Sequence, residues 1–556
     1  MDIRLLKFYI IITLSLLTLT TVEAQKKIKL EPGSGSLQMF KKDGLSYTSV
    51  TENVHFTHKG TRFYCDSAVI AKKTNFLEAY GHVKILDGDS ITIVADKLFY
   101  DGNTRVAQLR SNVVLTQKGR MQIFTDYLDY DRNTSISYYF NNGKIVDSTN
   151  VLTSKKGYYN THSNMASFKT NVVGKNDDYT MESDTLVYST KTGVVYFVAP
   201  TKLTDVDGDV FHHEGGQYNS KQKRSKYDIG TVETTDYFLK GKSMHLDDIR
   251  GIYNISGNVL MVSKSDDIFI TGQRSIYYKK SSITKVFDNA LMRMVINQDT
   301  LYLKADTLIS IDSKVRSEKR LLGYNNVRVF KSNLQAATDS LVYSVADSTM
   351  NFYGNPVLWT DGNQLTADSV NMIISNEAID VLNMNNNAFV ITQDSSKNYN
   401  QIKGRDMIAK FEGNELSKVN VYGNGESIFY MYDEVTNVMM GMNKIICSDI
   451  TLIFENRILK DASFLVNPEG DFIPPHELKE TDKTLKGFVW HGDLRPELVD
   501  FDRPFIGDTI KPMPIDEITI DKELKVIDST PPSQPKKEPI KPPGKKRKQK
   551  KKKNKN

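Results

Sequence analysis

The densest group of metal-capable side chains in this 556-residue sequence is His212-His213-Glu214. Imidazole and carboxylate groups are ordinary zinc ligands, but a zinc site usually needs three or four ligands that converge from separate parts of a fold. Gly215 and Gly216 follow directly, and such residues favour an exposed turn. We therefore predict no metal site here and no bound cofactor.

A second chemical possibility is the series of single aspartates that recurs along the chain. A ladder of Asp can bind calcium in a β-roll, but that repeat is dense in glycine and only about nine residues long. A carboxylate at the start of a strand can instead accept backbone N–H groups in an Asx-type turn. We predict this structural role for the series, whose clearest members are Asp96, Asp126, Asp184, Asp306, Asp339 and Asp368.

Sequence motifs of enzymes are missing. The chain contains no P-loop, no dinucleotide-binding glycine pattern, no G-x-S-x-G and no C-x-x-C. Because no nucleophile is paired with a base by any of these patterns, we predict no catalytic residues and a protein that is not an enzyme.

The aspartates belong to a longer phrase, Asp-x-Leu-x-Tyr, which returns about every thirty residues for most of the chain. Asp96-Lys97-Leu98-Phe99-Tyr100, followed by Ser111-Asn112-Val113-Val114-Leu115, is the clearest copy. A period of about 20–50 residues indicates a repeat architecture, in which each repeat buries its apolar side chains against its neighbours.

Within each repeat, side chains alternate with the period of a β-strand, and helical spacing is not sustained. Pairs such as Gly257-Asn258 and Asn325-Asn326 tolerate positive φ, so we expect short strands separated by turns. The tyrosines of the repeat are expected to pack in the core or at its rim. The predicted fold class is all-β: an elongated, repetitive, solenoid-like stack.

The N-terminus predicts export. Arg4 and Lys7 precede an apolar run that ends near Leu19, and Val22-Glu23-Ala24 offers a small-residue cleavage site. The run is too short to span a bilayer as a helix, although an uncleaved anchor helix is the alternative. We predict a signal peptide over residues 1–24 with cleavage near Ala24, a lead-in over 25–39, and the repeat region over 40–466.

Two segments follow the repeats. Residues 467–530 are punctuated by proline and are predicted to be an extended strap that covers the open end of the stack. The alternative is a docking element for an outer-membrane or assembly partner. Residues 531–556 are a Lys-rich tail, and a segment of this composition should be disordered.

The tail accounts for the basic charge of the chain. From position 536 onward there are 12 Lys or Arg and one Glu, so the rest of the chain carries 6 − 11 = −5. For an exported protein, an anionic surface such as phosphorylated lipid headgroups is a better partner for this tail than nucleic acid. A solvated tail without a specific partner is the other interpretation.

The chain has two cysteines, Cys65 in the first repeat and Cys447 in the last. Repeats that stack linearly would hold these two positions too far apart for the ~7 Å Cα separation of a disulfide. We expect two unpaired, mostly buried thiols.

The repeat, with its Ala/Thr/Ser-Asp start, central Leu, Tyr and following Asn-Val segment, resembles the organic-solvent-tolerance (OstA-like, LptA-like) family of periplasmic lipopolysaccharide-transport proteins. The resemblance covers about residues 40–465 and implies a β-jellyroll with an open apolar groove that accepts acyl chains. It further implies a periplasmic location, in part at the outer membrane. Candidate groove residues, taken from the alternation, are Leu98, Tyr100, Val113, Leu115, Leu128, Tyr130, Leu186 and Tyr188.

The resemblance also implies binding partners, and two alternative functions remain open. Expected partners are lipopolysaccharide or lipid A, other lipopolysaccharide-transport proteins at the inner and outer membranes, and further copies of the chain arranged end to end; no nucleic acid is expected. An exported β-solenoid that acts on polysaccharide is one alternative, although its clustered Asp, Arg and Lys cannot be assembled here. A surface adhesin or structural rod is the other, because it would not need a lipid-accepting interior.

Overall fold

The computed structural model describes residues 27–501 except positions 265–266, 297–298, 361, 376–377, 413–414, 434 and 456–457. The predicted signal peptide, the end of the strap segment (502–530) and the Lys-rich tail lie outside the described residues. The described chain falls into two compact units, unit 1 with residues 27–199 and unit 2 with residues 200–501. The predicted repeat boundaries, 40–466, stay a prediction.

Both units consist of antiparallel β-strands, as the alternating pattern predicts. The strands of unit 1 are β1 (Lys29–Leu30), β2 (Ser36–Lys42), β3 (Leu45–His58), β4 (Thr61–Ala71), β5 (Phe76–Asp87), β6 (Ile91–Asp101), β7 (Val106–Gln117), β8 (Met121–Asp131), β9 (Ile136–Tyr139), β10 (Gly143–Asp147), β11 (Val151–Ser154), β12 (Lys156–Asn160), β13 (Met165–Lys175), β14 (Tyr179–Ser189) and β15 (Val194–Phe197).

The strands of unit 2 are β16 (Thr201–Asp205), β17 (Val210–Asn219), β18 (Arg224–Glu233), β19 (Tyr237–Asp247), β20 (Ile252–Ser263), β21 (Ile268–Tyr278), β22 (Ile283–Ile296), β23 (Asp299–Ile311), β24 (Arg320–Lys331), β25 (Leu334–Ser344), β26 (Thr349–Tyr353), β27 (Val357–Thr360), β28 (Asn363–Thr366), β29 (Ser369–Ser375), β30 (Ala378–Asn385), β31 (Ala388–Gln393), β32 (Tyr399–Gly404), β33 (Asp406–Glu412), β34 (Glu415–Tyr422), β35 (Gly425–Tyr432), β36 (Met439–Cys447), β37 (Asp449–Glu455), β38 (Ile458–Leu465) and β39 (Glu469–Ile473). Short 3₁₀ turns lie at Lys279–Ser281, Arg316–Glu318, Glu480–Asp482, Gly492–Leu494 and Leu498–Phe501. Within the described ranges, no helix has the length and apolar content needed to cross a bilayer.

Most long strands are bent by a β-bulge near their middle. Between β6 and β7 the register shifts after the pair Val94–Val114 and resumes at Lys97–Arg110. On β7, Ser111 and Asn112 have φ of +65° and +52°. A bulge bends and twists a strand without ending it. The prediction of short strands separated by Asn-containing turns is wrong at these positions, because a positive-φ residue serves a bulge as well as a turn.

The bulges divide the strands into two arms. Arm A carries the Asp-x-Leu-x-Tyr residues, and arm B is the part of each strand on the other side of the bulge; Leu98, for example, is on arm A and Ile93 on arm B of β6. In the last third of unit 2 the strands end at this line. There β26, β29, β30, β33, β34, β37 and β38 form arm A, whereas β27, β28, β31, β32, β35, β36 and β39 form arm B.

The recurring aspartates hold the bulges. Asp126 accepts a hydrogen bond from the backbone N–H of Asn112 (3.2 Å), and Asp96 accepts one from Asn112 Nδ2 (2.8 Å). In unit 2, Asp306 accepts a hydrogen bond from Asn326 Nδ2 (2.9 Å). Each carboxylate therefore supports a bulge of a neighbouring strand, whereas the sequence suggested a turn within its own repeat.

The repetitive all-β fold class is confirmed. Along arm B of unit 1, Ile93 and Leu115 are buried, whereas Val94 and Phe124 on the opposite side are exposed. Alternating side chains of a strand point to opposite faces, so the inner faces of both arms supply the core. Cys65 and Cys447 are both free and buried.

Candidate functional site

The eight groove candidates all lie on the inner faces of unit 1. Each is between 0% and 2% exposed, on both arms. The alternation therefore identified the inner faces, and in this structure the residues fill the interior as a packed core. They are Leu98, Tyr100, Leu128, Tyr130, Leu186 and Tyr188 on arm A, with Val113 and Leu115 on arm B.

The tyrosines of the repeat form a row of latches that joins the two arms along the side opposite the bulges. Tyr100 Oη lies 2.7 Å from His58 Nδ1, at the end of arm B in β3. The Tyr130 hydroxyl donates to Asp87 Oδ2 (2.9 Å). The series continues with hydrogen bonds from Tyr159 to Gln117 and from Tyr188 to Asp147. We call this row the latch seam.

The latch seam contains a buried ion pair between Asp87 and Arg132. Arg132 Nη2 donates to Asp87 Oδ1 (2.7 Å) and Nε to Oδ2 (3.0 Å), and the two side chains are 8% and 16% exposed. Burial alone would raise the pKa of the Asp87 carboxyl. Hydrogen bonds and charge from Arg132, with the hydroxyls of Tyr130 and Thr61, instead bring that pKa below its usual value. Burial raises the pKa of Tyr130, so its hydroxyl stays protonated and donates.

The sequence contained the latch tyrosines, but it did not reveal their partners. His58, Asp87, Gln117 and Asp147 end arm-B segments at a spacing close to that of the repeat. A polar residue about 42 positions before each of these four tyrosines is the signal that could have found them. The requirement behind it is that a buried hydroxyl needs a hydrogen-bond partner.

Residues 474–501 are the described part of the predicted strap that follows β39, and they are called the strap from here on. They lie on the outer side of arm B in unit 2. Leu485 is 4% exposed in a cluster with arm-B residues that include Ile391 and Ile428. At the far end of the strap, the Phe501 ring lies 5.8 Å from that of Tyr302 and 6.0 Å from that of Phe330. These residues therefore cover an apolar outer face of arm B, and the expectation that the segment covers the open end of the stack stays a prediction.

The inner face of the same strands is open. Ile428 of β35 pairs with Gln401, whose side chain contacts the strap, so both residues face the outer side. Because alternate side chains of a strand point to opposite faces, Phe429 and Met431 face the inner side. Phe429 is 46% exposed, Met431 37%, and Phe472 on β39 54%. This inner surface of large apolar side chains is the candidate binding surface.

Unit 1 also exposes inner apolar residues, at its first strands. Leu37 and Met39 of β2 pair with Val50 and Thr48, which are buried on the inner face of β3. Leu37 is 52% and Met39 70% exposed.

Unit 2 has an interior cavity beside Met261 and Ile270, with a volume of about 30 Å³. Such a volume holds roughly one water molecule, so this part of the interior is closed to an acyl chain.

The two histidines of the His212-His213 pair do not converge on one point. The two side chains point to opposite faces of β17, because they are consecutive residues of one strand. His213 is 4% exposed and its ring stacks on Tyr227 with 4.3 Å between centroids. Within the described residues, no group of three or more His, Cys, Asp or Glu side chains could hold a metal ion.

Comparison with known families gives the relationship. The profile described as OstA-like protein matches residues 25–184. Over this range the chain is similar to OstA-like proteins. The matched range includes the latches of Tyr100, Tyr130 and Tyr159, and within it the resemblance predicted from the repeat is confirmed.

Among solved structures, this chain is similar to LptH, described as the LptA-homologous periplasmic component of the conserved lipopolysaccharide transport device from Pseudomonas aeruginosa. The identity is 15% and the TM-score 0.19, and the match covers 21% of this chain and 82% of LptH. No curated protein matches this chain.

Proposed function

We propose that this chain is a non-enzymatic, periplasmic lipid-binding protein that carries lipopolysaccharide, by its lipid A part, during outer-membrane assembly. The observation that carries this proposal is the open inner surface of unit 2, where Phe429, Met431 and Phe472 present apolar side chains on the inner side of a β-repeat. Each CH₂ group moved from water onto such a surface gains about 0.8 kcal/mol. The family resemblance supports the same assignment.

The closed interior of unit 1 fits this function if its arms can part. The latch seam is held by side-chain hydrogen bonds such as Tyr130–Asp87, whereas backbone ladders join neighbouring strands. Opening the seam would separate the arms without breaking the strand pairing. Leu98, Leu128 and Leu186, with the other candidate residues, would then line the path of the acyl chains.

The proposed partners follow from this role. They are lipopolysaccharide or lipid A, transport proteins at the inner and outer membranes, and other copies of the chain end to end. The Lys-rich tail, with 12 Lys or Arg from position 536 onward, suits an anionic membrane surface. We propose export by cleavage near Ala24.

Site-specific photo-crosslinking tests the proposal. A photoreactive residue at position 429 or 472 should label the lipopolysaccharide of the producing cell strongly, because these positions lie on the open inner surface. The same residue at position 124 is the matched control, because Phe124 is 38% exposed on the outer face of arm B. Labelling at 124 equal to that at 429 would contradict the proposed site.

A further inference from the structure

The strap changes which face of arm B is buried. In unit 1 the inner residue Ile123 is 1% exposed and its outer neighbour Phe124 38%. On β35 of unit 2 the order is inverted: the outer residue Ile428 is 1% exposed and its inner neighbour Phe429 46%. Burial on these strands has moved from the inner to the outer face.

The outer face is covered by apolar residues of the strap. Leu485 packs into the outer cluster, with Phe488 and Trp490 beside it. The Tyr399 ring of arm B lies 5.3 Å from that of Phe488 and 5.2 Å from that of Trp490. The arm-B members of the cluster are Phe389, Ile391, Ile428, Tyr430 and Met442, all at most 5% exposed.

Two buried glutamines of arm B clamp the strap backbone in the same way. Gln401 Nε2 donates to the carbonyl of Lys483 (2.8 Å), and its Oε1 accepts from the N–H of Leu485 (2.8 Å). Both Gln401 and Gln364 are 0% exposed. A side-chain amide that satisfies a carbonyl and an N–H two residues apart fixes an extended chain through its backbone.

Gln364 repeats this pattern six residues farther along the strap. Its Nε2 donates to the carbonyl of Val489 (2.8 Å), and its Oε1 accepts from the N–H of His491 (2.6 Å). Gln335 then accepts two hydrogen bonds from the Arg495 guanidinium, at 2.9 and 2.7 Å. The strap is therefore attached at three places on arm B by buried polar groups as well as by apolar packing.

We propose that the strap is a buttress. It buries the outer face of arm B in unit 2, so the stability of these strands does not depend on packing of their inner face. The inner face therefore stays free for cargo. The inference deepens the proposed function and rests on it for the identity of that cargo, the acyl chains of a lipid. Gln364 and Gln401 are positioning residues, since they hold the strap and do not touch the inner face.

Paired alanine substitutions in the full chain test the buttress without lipid. Ile428→Ala should raise the hydrogen exchange of β35 amides by about 30-fold or more, as expected for a truncated buried side chain. Phe429→Ala should change it less than about threefold, because the residue is 46% exposed and lies outside the cluster that the strap buries. In unit 1 the order should invert, with Ile123→Ala the damaging change and Phe124→Ala the mild one.

The clamps are tested by Gln364→Ala combined with Gln401→Ala, which should accelerate exchange in β31, β32 and β35 by about tenfold or more. Gln122→Ala is the matched control, because Gln122, like Gln364, stands four residues before a repeat Asp but is exposed. Equal effects of Ile428→Ala and Phe429→Ala, or unchanged exchange in the clamp variant, would overturn the buttress.

A lipid measurement separates the two proposals. The native chain and Phe429→Ala are compared for labelling by lipopolysaccharide that bears a photoreactive acyl chain, and Phe429→Ala should take up several-fold less. If the native chain takes up none, the proposed function fails, while the exchange pattern still decides whether the strap is a buttress. If uptake is equal in both, the inner face is not the cargo surface and this inference fails.

Discussion

Arg132→Met should destabilise unit 1 by about 3–5 kcal/mol, the usual result of removing one partner of a buried ion pair. The Asp87 carboxylate, 16% exposed, would lose both hydrogen bonds from the guanidinium. It would also remain charged inside the latch seam, next to Tyr130. Urea titration followed by hydrogen exchange of β8 amides measures the loss in the unit that contains the pair.

Two comparisons make this prediction specific. Arg274→Met removes an ion pair with Asp288 whose side chains are 64% and 45% exposed, and it should leave the stability of its unit nearly unchanged, because solvent screens exposed pairs. Combining Arg132→Met with Asp87→Leu removes both buried charges and should recover much of the loss. A loss below about 1 kcal/mol for Arg132→Met alone would show that the pair does not support the seam.

Much of the fold could be predicted because the alternation of apolar and polar residues in the repeat matches the two faces of a β-strand. Alternation along β6 separates Leu98 and Tyr100 from Lys97, and the structure buries the first two and exposes the third. The sequence also predicted that the repeat tyrosines pack in the core or at its rim. Tyr100 and Tyr130 are 0% and 2% exposed, and their hydroxyls contact His58 and Asp87.

The rest depends on contacts between residues that are distant in sequence. The amide of Gln364 meets strap residues more than 120 positions later, and no local pattern distinguishes it from the exposed Gln122. Likewise, Ser111-Asn112 has the composition of a turn, and only pairing with two neighbouring strands makes it a bulge. The inversion of burial at Ile428 and Phe429 follows from the strap, so alternation alone could not indicate which face is open.

Acidification should destabilise unit 2 through His213. Burial, with a smaller contribution from His212, lowers the pKa of the His213 imidazole to about 3, below the value of about 6.5 for an unfolded His. At pH values between about 3 and 6.5, the His213 imidazole is protonated in the unfolded chain and neutral in the folded chain. The stabilisation is therefore complete above about pH 6.5 and is lost as pH falls toward 3, by about 2 kcal/mol at pH 5.

His213→Phe should remove this loss, because a phenyl ring can keep the stack on Tyr227 at 4.3 Å without taking up a proton. Denaturant unfolding at pH 7 and pH 5, read by hydrogen exchange of β17 and β18 amides, measures the difference for each variant. His245→Phe, at an exposed position of β19, is the control and should behave as the native chain. A native chain and a His213→Phe variant that lose equal stability between pH 7 and pH 5 would show that the neutral imidazole is not what makes the fold acid-sensitive.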